Sequence, residues 1–307
     1  MFKRNLVSAS AAALVLFCAS QASAADLYEP ALPDLSAVMS MYAGGSFLDQ
    51  SGPGDECSSG ENCGQFDDNT WLAGGNARVA GQSWQLELAG SVLGDTDKES
   101  DGESAEYQGS TYFALAGHWL GRGETGTWGA FGGFAHVSHQ DSDSTSGNLF
   151  GGLEYAHFSG NSTLFGQVGG TVAVSGETTD TWEQGIFARL GWRYFMSPTS
   201  KFEVDGMVGW GEFDSSDDGV TAAWGAEFEN QFSGPFSGFV AYRGHYVEDS
   251  DNNPCCSEDQ EVVSHSIMVG FRIAVNSEDL LQRDRTGAGT FDIPDLHRAL
   301  AWPNDLN

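Results

Sequence analysis

Thr163-Leu164-Phe165-Gly166-Gln167-Val168-Gly169-Gly170-Thr171-Val172-Ala173-Val174 sorts its side chains into two alternating sets. Leu164, Gly166, Val168, Gly170, Val172 and Val174 make an apolar or glycine set, and Thr163, Phe165, Gln167, Gly169, Thr171 and Ala173 a mixed one. A side-chain period of two places each set on one face of a β-strand. Residues 182–196 repeat the pattern, with Trp182, Ile186, Ala188, Leu190, Trp192 and Tyr194 against Glu183, Arg189 and Arg193. In 202–211, Phe202, Val204, Val208 and Trp210 oppose Glu203 and Asp205. In 262–275, Val263, Ile267, Val269, Phe271, Ile273 and Val275 oppose Ser264, Ser266, Met268 and Arg272. A soluble β-sandwich would show the same alternation.

The spacing between such tracts separates the two architectures. Polar breaks alternate between long and acidic (51–69, 95–106, 139–146, 175–181, 212–219, 248–261) and short (81–83, 121–126, 159–162, 197–201, 233–235). Long loops at one end and tight turns at the other mark an up-and-down barrel of the outer-membrane kind. The breaks delimit twelve strands: 37–48, 70–80, 84–94, 107–120, 127–138, 147–158, 163–174, 182–196, 202–211, 220–232, 236–247 and 262–275. The expected fold is therefore all-β, a transmembrane antiparallel up-and-down β-barrel of about twelve strands. An even strand number returns both barrel ends to the short-turn side, which is periplasmic in such proteins.

The start of the chain reads as a secretory leader. Lys3 and Arg4 precede the small and apolar run 6–19, and Ala22-Ser23-Ala24 is an A-x-A cleavage pattern. The expected division is a signal peptide at 1–24, a periplasmic lead at 25–36, the barrel at 37–275 and a periplasmic tail at 276–307. The tail carries a short helical pattern at 294–302, with Leu296, Leu300 and Trp302 in a rough apolar stripe; a cap on the barrel mouth, a docking segment and disorder are all compatible with it. No later stretch approaches the roughly 18 apolar residues of a membrane helix. A formal net charge of −30 argues against nucleic acid as a partner. More than half of the 43 Asp and Glu lie in the six long breaks, where Lys98 is the single basic residue.

Tryptophan placement favours the membrane barrel. Trp71, Trp182 and Trp210 fall at long-break ends of strands, and Trp84, Trp119, Trp128 and Trp192 near short-turn ends. Indole rings prefer the headgroup boundary, where the ring body is buried and the N–H stays wet. Phe271, Ile273 and Val275 alternate after Gly270 and look like the terminal-strand signal read by the barrel-insertion machinery, although 32 residues follow. Ala24-Ala25-Asp26-Leu27 with Pro30 and Pro33 resembles the mature start of alphaproteobacterial porin-family outer-membrane proteins. That resemblance implies a Gram-negative outer membrane, with lipids and lipopolysaccharide as surroundings and the loops extracellular.

The inward face is expected to carry Arg78, Glu87, His118, Glu154, Glu183, Arg189, Arg193, Glu203, Asp205, Glu227, Glu229, Arg243, His245 and Arg272, with Arg122 beside them. Opposed charges of this kind either line a constricted pore or fill a narrow barrel as ion pairs. Cys57, Cys63, Cys255 and Cys256 lie in the first and last long breaks, which closure makes neighbours. An exported chain favours disulfides there, between the loops or as Cys57–Cys63. Acidic loops could bind Ca²⁺ or Mg²⁺, but Asp97, Glu99, Asp101 and Gly102 are followed by Gln108 where a Ca²⁺ loop needs Glu, so no cofactor is expected. Gly121–Gly126 spells G-x-G-x-x-G without a following helix and reads as a turn.

Two His-x-Ser pairs, His136/Ser138 and His157/Ser159, are similar to the pair that outer-membrane phospholipases use on the lipid side of a twelve-stranded barrel. His157 and Ser159 fall at the short-turn end. The better phase of 127–138 turns His136 and Ser138 into the lumen, although Phe131 and Phe134 conflict. The leading expectation is a porin-like channel for small polar solutes, cation-preferring because of its acidic rim. Behind it stand a non-conducting structural or surface-interaction barrel and a lipid hydrolase. Oligomeric state is not legible from patterning.

Overall fold

The computed structural model describes residues 35–51, 66–94, 96–100, 103–107, 109–139, 145–175, 182–213, 217–249 and 260–294. Twelve of its strands close into one antiparallel barrel. They are β1 (Ser36–Ser51), β2 (Phe66–Ala80), β3 (Trp84–Leu93), β6 (Ser110–Gly123), β7 (Gly126–His139), β8 (Thr145–Ser159), β9 (Ser162–Ser175), β10 (Trp182–Ser197), β11 (Ser200–Phe213), β12 (Asp217–Ser233), β13 (Phe236–Asp249) and β14 (Gln260–Val275). Between β3 and β6 stands a separate hairpin of β4 (Thr96–Ser100) and β5 (Glu103–Tyr107). The barrel strands match the twelve expected tracts, most with a few more residues at their ends.

The hairpin is a correction: residues 95–106 read as a plain acidic loop. Asp101-Gly102, a strong hairpin-turn dipeptide, sits between its two strands in sequence, and the density of acids masks that signal. The barrel closes where β1 pairs with β14, from Ala37↔Val275 to Ser51↔Glu261. Gly44 makes that seam possible, since a Cβ there would overlap the Ile267 carbonyl oxygen. The short turns after β8 and β12 place Gly160 and Gly234 at φ values of 54° and 49°, a left-handed conformation that costs glycine little.

The two faces divide as the alternation requires. Outside are Leu86, Leu88, Leu115, Leu153, Val168, Ile186, Val208, Val240, Ile267 and Val269, all exposed. An apolar wall encircling the molecule exceeds what a water-soluble monomer presents. Inside, the half nearer the long breaks holds an apolar cluster that includes Tyr112, Phe131, Val137, Phe150, Phe187, Met207 and Val247. The half nearer the short turns holds most of the charged residues.

After Val275 the chain turns back. Asn276 takes φ 59°, a region Asn tolerates better than most residues, and its side-chain amide donates to the Leu35 carbonyl at 2.8 Å. A short helix, α1 (Leu280–Thr286), follows with Asp279 as its N-cap, whose carboxylate accepts from the Gln282 N–H at 2.7 Å. The Leu280 N–H donates to the Pro198 carbonyl at 2.9 Å, which ties the helix to the β10–β11 turn. Residues 287–293 then run inside the barrel, with Ala288 and Phe291 wholly buried. The segment expected as a tail beyond the barrel is thus, as far as residue 294, its plug. The helical pattern at 294–302 lies beyond Pro294 outside the described residues, as do the leader and the four mature cysteines.

Candidate functional site: the plugged lumen

Three ion pairs, two of them buried and the third partly so, fasten the plug to the wall. The Arg193 Nη1 of β10 meets Asp284 Oδ1 of α1 at 2.7 Å. Arg189, two pleat repeats further into the barrel, meets Asp292 Oδ1 at 2.7 Å. With the polarity reversed, Arg283 Nη2 of α1 meets Glu229 Oε1 of β12 at 2.6 Å. Arg189 and Arg193 share a face because they are four residues apart on a strand. Their guanidinium groups lie near the Phe165 ring, whose centroid is 4.1 Å from Arg193 Cζ. Residue 191, between the arginines on the same face, is glycine, and a Cβ there would run into that ring.

Further hydrogen bonds complete the seat. Gln85 Nε2 donates to the Phe291 carbonyl at 2.8 Å, and Arg78 Nη1 to the same oxygen at 3.3 Å. The Ile293 N–H donates to Glu87 Oε2 at 2.9 Å. Gln167 Nε2 donates to the Asp292 carbonyl at 3.0 Å, and Thr163 Oγ1 to Asp284 Oδ2 at 2.6 Å. Arg122 of β6 donates to the carbonyls of Arg285 and Gly287 and to Thr290 Oγ1. Burial opposes ionisation of Asp292, but the adjacent Arg189 guanidinium outweighs it and pulls the carboxyl down to about 2. Burial holds the Arg285 guanidinium below its usual range.

The wall also pairs with itself. Arg189 Nε reaches Asp205 at 3.0 Å, Arg193 Nε reaches Glu203 at 3.1 Å, and Arg272 bridges Glu227 at 2.7 Å and Glu229 at 2.6 Å. Lys201 joins Glu203 at 2.8 Å, Glu227 at 3.3 Å and Glu229 at 3.5 Å. Arg243 meets Asp205 at 3.2 Å and lies across Gly225, where a Cβ would collide with its guanidinium. Each wall group that holds the plug by an ion pair therefore has a second partner of opposite charge on the wall.

The expected inward residues all lie on the inner face. Arg78, Glu87, Arg189, Arg193, Glu203, Glu227, Glu229 and Arg272 are buried around the plug, with Asp205 and Arg243 above it. His118 and Glu154 are buried as a pair at 2.9 Å, and Glu154 also accepts from Gln167. His245 is buried against Thr221 at 3.0 Å, and Glu183 stands half-buried nearer the long breaks, apart from the plug. On the outer face, Trp71, Trp84, Trp119, Trp128, Trp192 and Trp210 are exposed, Trp119 most of all at 75 %. The Trp182 side chain lies outside the described residues.

His136 and Ser138 are a correction. Thr127, Gly129, Phe131, Ala135 and Val137 are the buried residues of β7, so His136 and Ser138 point outward. Phe134, whose ring stacks on His136 at 6.4 Å, shares that outward face, and Phe131 packs inward against Phe150 and Phe187. From Phe131 to Val137 the lumen side of β7 is apolar, which reverses the phase a polar lumen would dictate. His157 and Ser159 are exposed at the short-turn end, as expected.

Sequence reasoning missed the plug half of the site: Arg283, Asp284, Asp292 and the wall's neutral partners Gln85, Gln167 and Thr163. The available signal was local, an Asp279 cap three residues before Gln282 with glycine at 287 and 289. An outward trio was also unforeseen, in which Trp224 Nε1 donates to Tyr242 Oη at 3.2 Å and that hydroxyl meets His265 Nδ1 at 2.8 Å.

The fold and site together define a closed twelve-stranded barrel occupied by its own C-terminal segment. No family model matches the chain, and no curated protein matches it. Solved structures of similar fold are bacterial outer-membrane barrels. A deltaS2 mutant of the TodX monoaromatic hydrocarbon channel is 9% identical with a TM-score of 0.43, covering 80% of this chain and 91% of that one. Outer membrane phospholipase A from Escherichia coli is 13% identical with a TM-score of 0.41, covering 74% and 89%. The outer membrane protease OmpT from Escherichia coli is 9% identical with a TM-score of 0.37, covering 81% and 99%. Channels and hydrolases both occur among these folds, so function rests on the site alone.

Proposed function

We propose that this protein is an outer-membrane barrel, long loops outside and short turns in the periplasm, whose lumen residues 276–294 hold shut. It passes small polar solutes when that segment withdraws. The membrane reading is supported by the apolar outer wall with tryptophans near both rims. The observation that carries the gate is the double pairing of Arg189, Arg193 and Glu229. Withdrawal of the plug leaves each with a wall partner, which lowers the cost of baring a charge in the lumen. A fixed core would gain nothing from that redundancy. Cations are the expected carriers, because acids crowd the long breaks and raise local cation concentration.

Planar bilayers test this directly. Full-length protein should show rare or no stepwise conductance, and a chain ending at Val275 should conduct in steps. Continuous conductance by the full chain, or silence from a folded, heat-modifiable truncation, would overturn the gate. The outward turn of His136 and Ser138 favours one second reading, a lipid-acting hydrolase. No hydrogen bond joins the pair, and acyl release that Ser138→Ala leaves unchanged removes this reading.

A further inference from the structure

The two carboxylates that the plug brings to β10 occupy seats already built into the wall. Arg189 and Arg193 are 5 % and 2 % exposed, and each guanidinium is shared between two carboxylates. The Nε edge serves the wall, pairing Arg189 with Asp205 and Arg193 with Glu203. The Nη groups serve the plug. Arg189 reaches Asp292 from Nη1 at 2.7 Å and from Nη2 at 3.4 Å, the two-point grip a guanidinium offers a carboxylate. Arg193 Nη1 reaches Asp284 Oδ1 at 2.7 Å, while Thr163 Oγ1 donates to the second oxygen at 2.6 Å. One ring stands beside both seats, since the Phe165 centroid lies 5.2 Å from Arg189 Cζ and 4.1 Å from Arg193 Cζ.

Both seats border open space. A cavity of about 150 Å³ between plug and wall has Arg189, Arg193, Asp284 and Asp292 together in its lining, so a small solute meets both ion pairs while the plug is still in place. We infer that these seats bind a small aliphatic dicarboxylate in place of Asp284 and Asp292, and that this ligand releases the plug. The exchange replaces carboxylate by carboxylate, so the balance of charge around the two arginines is unchanged and neither is left bare. Two seats beside one ring favour two carboxylates on a short methylene chain, because the second binds intramolecularly once the first is held. A monocarboxylate forgoes that gain. The ligand is an opener of the gate rather than the carried ion, and the inference rests on the proposed withdrawal of residues 276–294.

Protease access to the C-terminal segment of full-length protein in detergent micelles is the test, at neutral pH and constant ionic strength. Succinate, glutarate and adipate are titrated against propionate. Access should rise with the best-fitting dicarboxylate, half-maximally on the order of 10 mM, and propionate should need at least about tenfold more. Asp284→Asn weakens the plug's own competing carboxylate and leaves the wall untouched, so it should lower the half-maximal dicarboxylate concentration at least about tenfold. If that variant does not fold, the comparison with propionate decides alone. No rise up to about 100 mM, a propionate effect equal to the dicarboxylate's, or an unchanged midpoint in folded Asp284→Asn overturns the inference. Release in micelles needs no conductance. A protein that dicarboxylates release but that stays silent in bilayers loses the gate alone, and one that conducts on truncation but ignores dicarboxylates loses this inference alone.

Discussion

The plug's hold on the wall can be weakened by one atom-for-atom exchange. Asp284 is buried, with Oδ1 on Arg193 at 2.7 Å and Oδ2 accepting from Thr163 at 2.6 Å. In Asp284→Asn the amide oxygen keeps the Thr163 hydrogen bond while the NH₂ group faces the Arg193 fork, donor against donor. Removing one partner of a buried pair costs about 3–5 kcal/mol. Arg193 retains Glu203 at 3.1 Å, which places this loss near the lower figure, about 3 kcal/mol. At about 1.4 kcal/mol per decade, the closed-to-open ratio falls roughly 10²-fold. Single-channel recording should show open probability rising by about that factor over the full-length chain. Glu212→Gln serves as the control, because Glu212 bonds Gln184 toward the long-break end of the wall and touches no plug residue. Asp292→Asn added to Asp284→Asn should raise opening further, as Arg189 then falls back on Asp205. Open probabilities within about threefold of the full-length chain for both folded variants would refute ion pairing as what holds the plug.

Acid should release the plug in a defined window. Asp292 is held down to about 2 in the seated state, against an ordinary value of 3.8, so its pairing contributes fully above about pH 4 and is lost as pH falls toward 2. Protease access to the C-terminal segment at pH 6, 4 and 2.5 should stay low at the first two and rise at the last; a rise already complete at pH 4 would contradict the assignment. On the outer wall, Leu153 is 64 % exposed near the middle of β8, and Leu153→Arg should destabilise protein folded into vesicles by about 2–4 kcal/mol. Urea titration in vesicles measures this, and a change below about 0.5 kcal/mol, normal for a water-facing position, would count against the membrane belt. Gly44→Ala drives a methyl into the Ile267 carbonyl at the closing seam and should cost at least about 1–3 kcal/mol, seen as loss of the heat-modifiable band at temperatures the parent withstands.

Strands were legible because each side chain answers to one of two environments, and a period of two survives any detail of packing. Leu164 against Gln167, or Leu190 against Arg189, needs no partner to be sorted. The phase of β7 failed for the same reason in reverse: around His136 its lumen side is Phe131, Ala135 and Val137, so polarity did not mark the inner face. What fills the lumen was not legible because the plug has no periodicity. Arg283-Asp284-Arg285 carries no pattern of its own, and its sense lies in Glu229 and Arg193, residues 54 positions from Arg283 and 91 from Asp284 in sequence. The wall nevertheless held a clue in its charges. Arg189, Arg193, Glu227 and Glu229 fit either a pore lining or mutual pairing; all four pair across strands of the wall, and Arg189, Arg193 and Glu229 pair with the plug as well. A lumen whose arginines and glutamates balance without help can release what it holds, whereas one that balances only with its plug cannot. That difference, carried by the second contacts of Arg189, Arg193 and Glu229, separates a gate from a core.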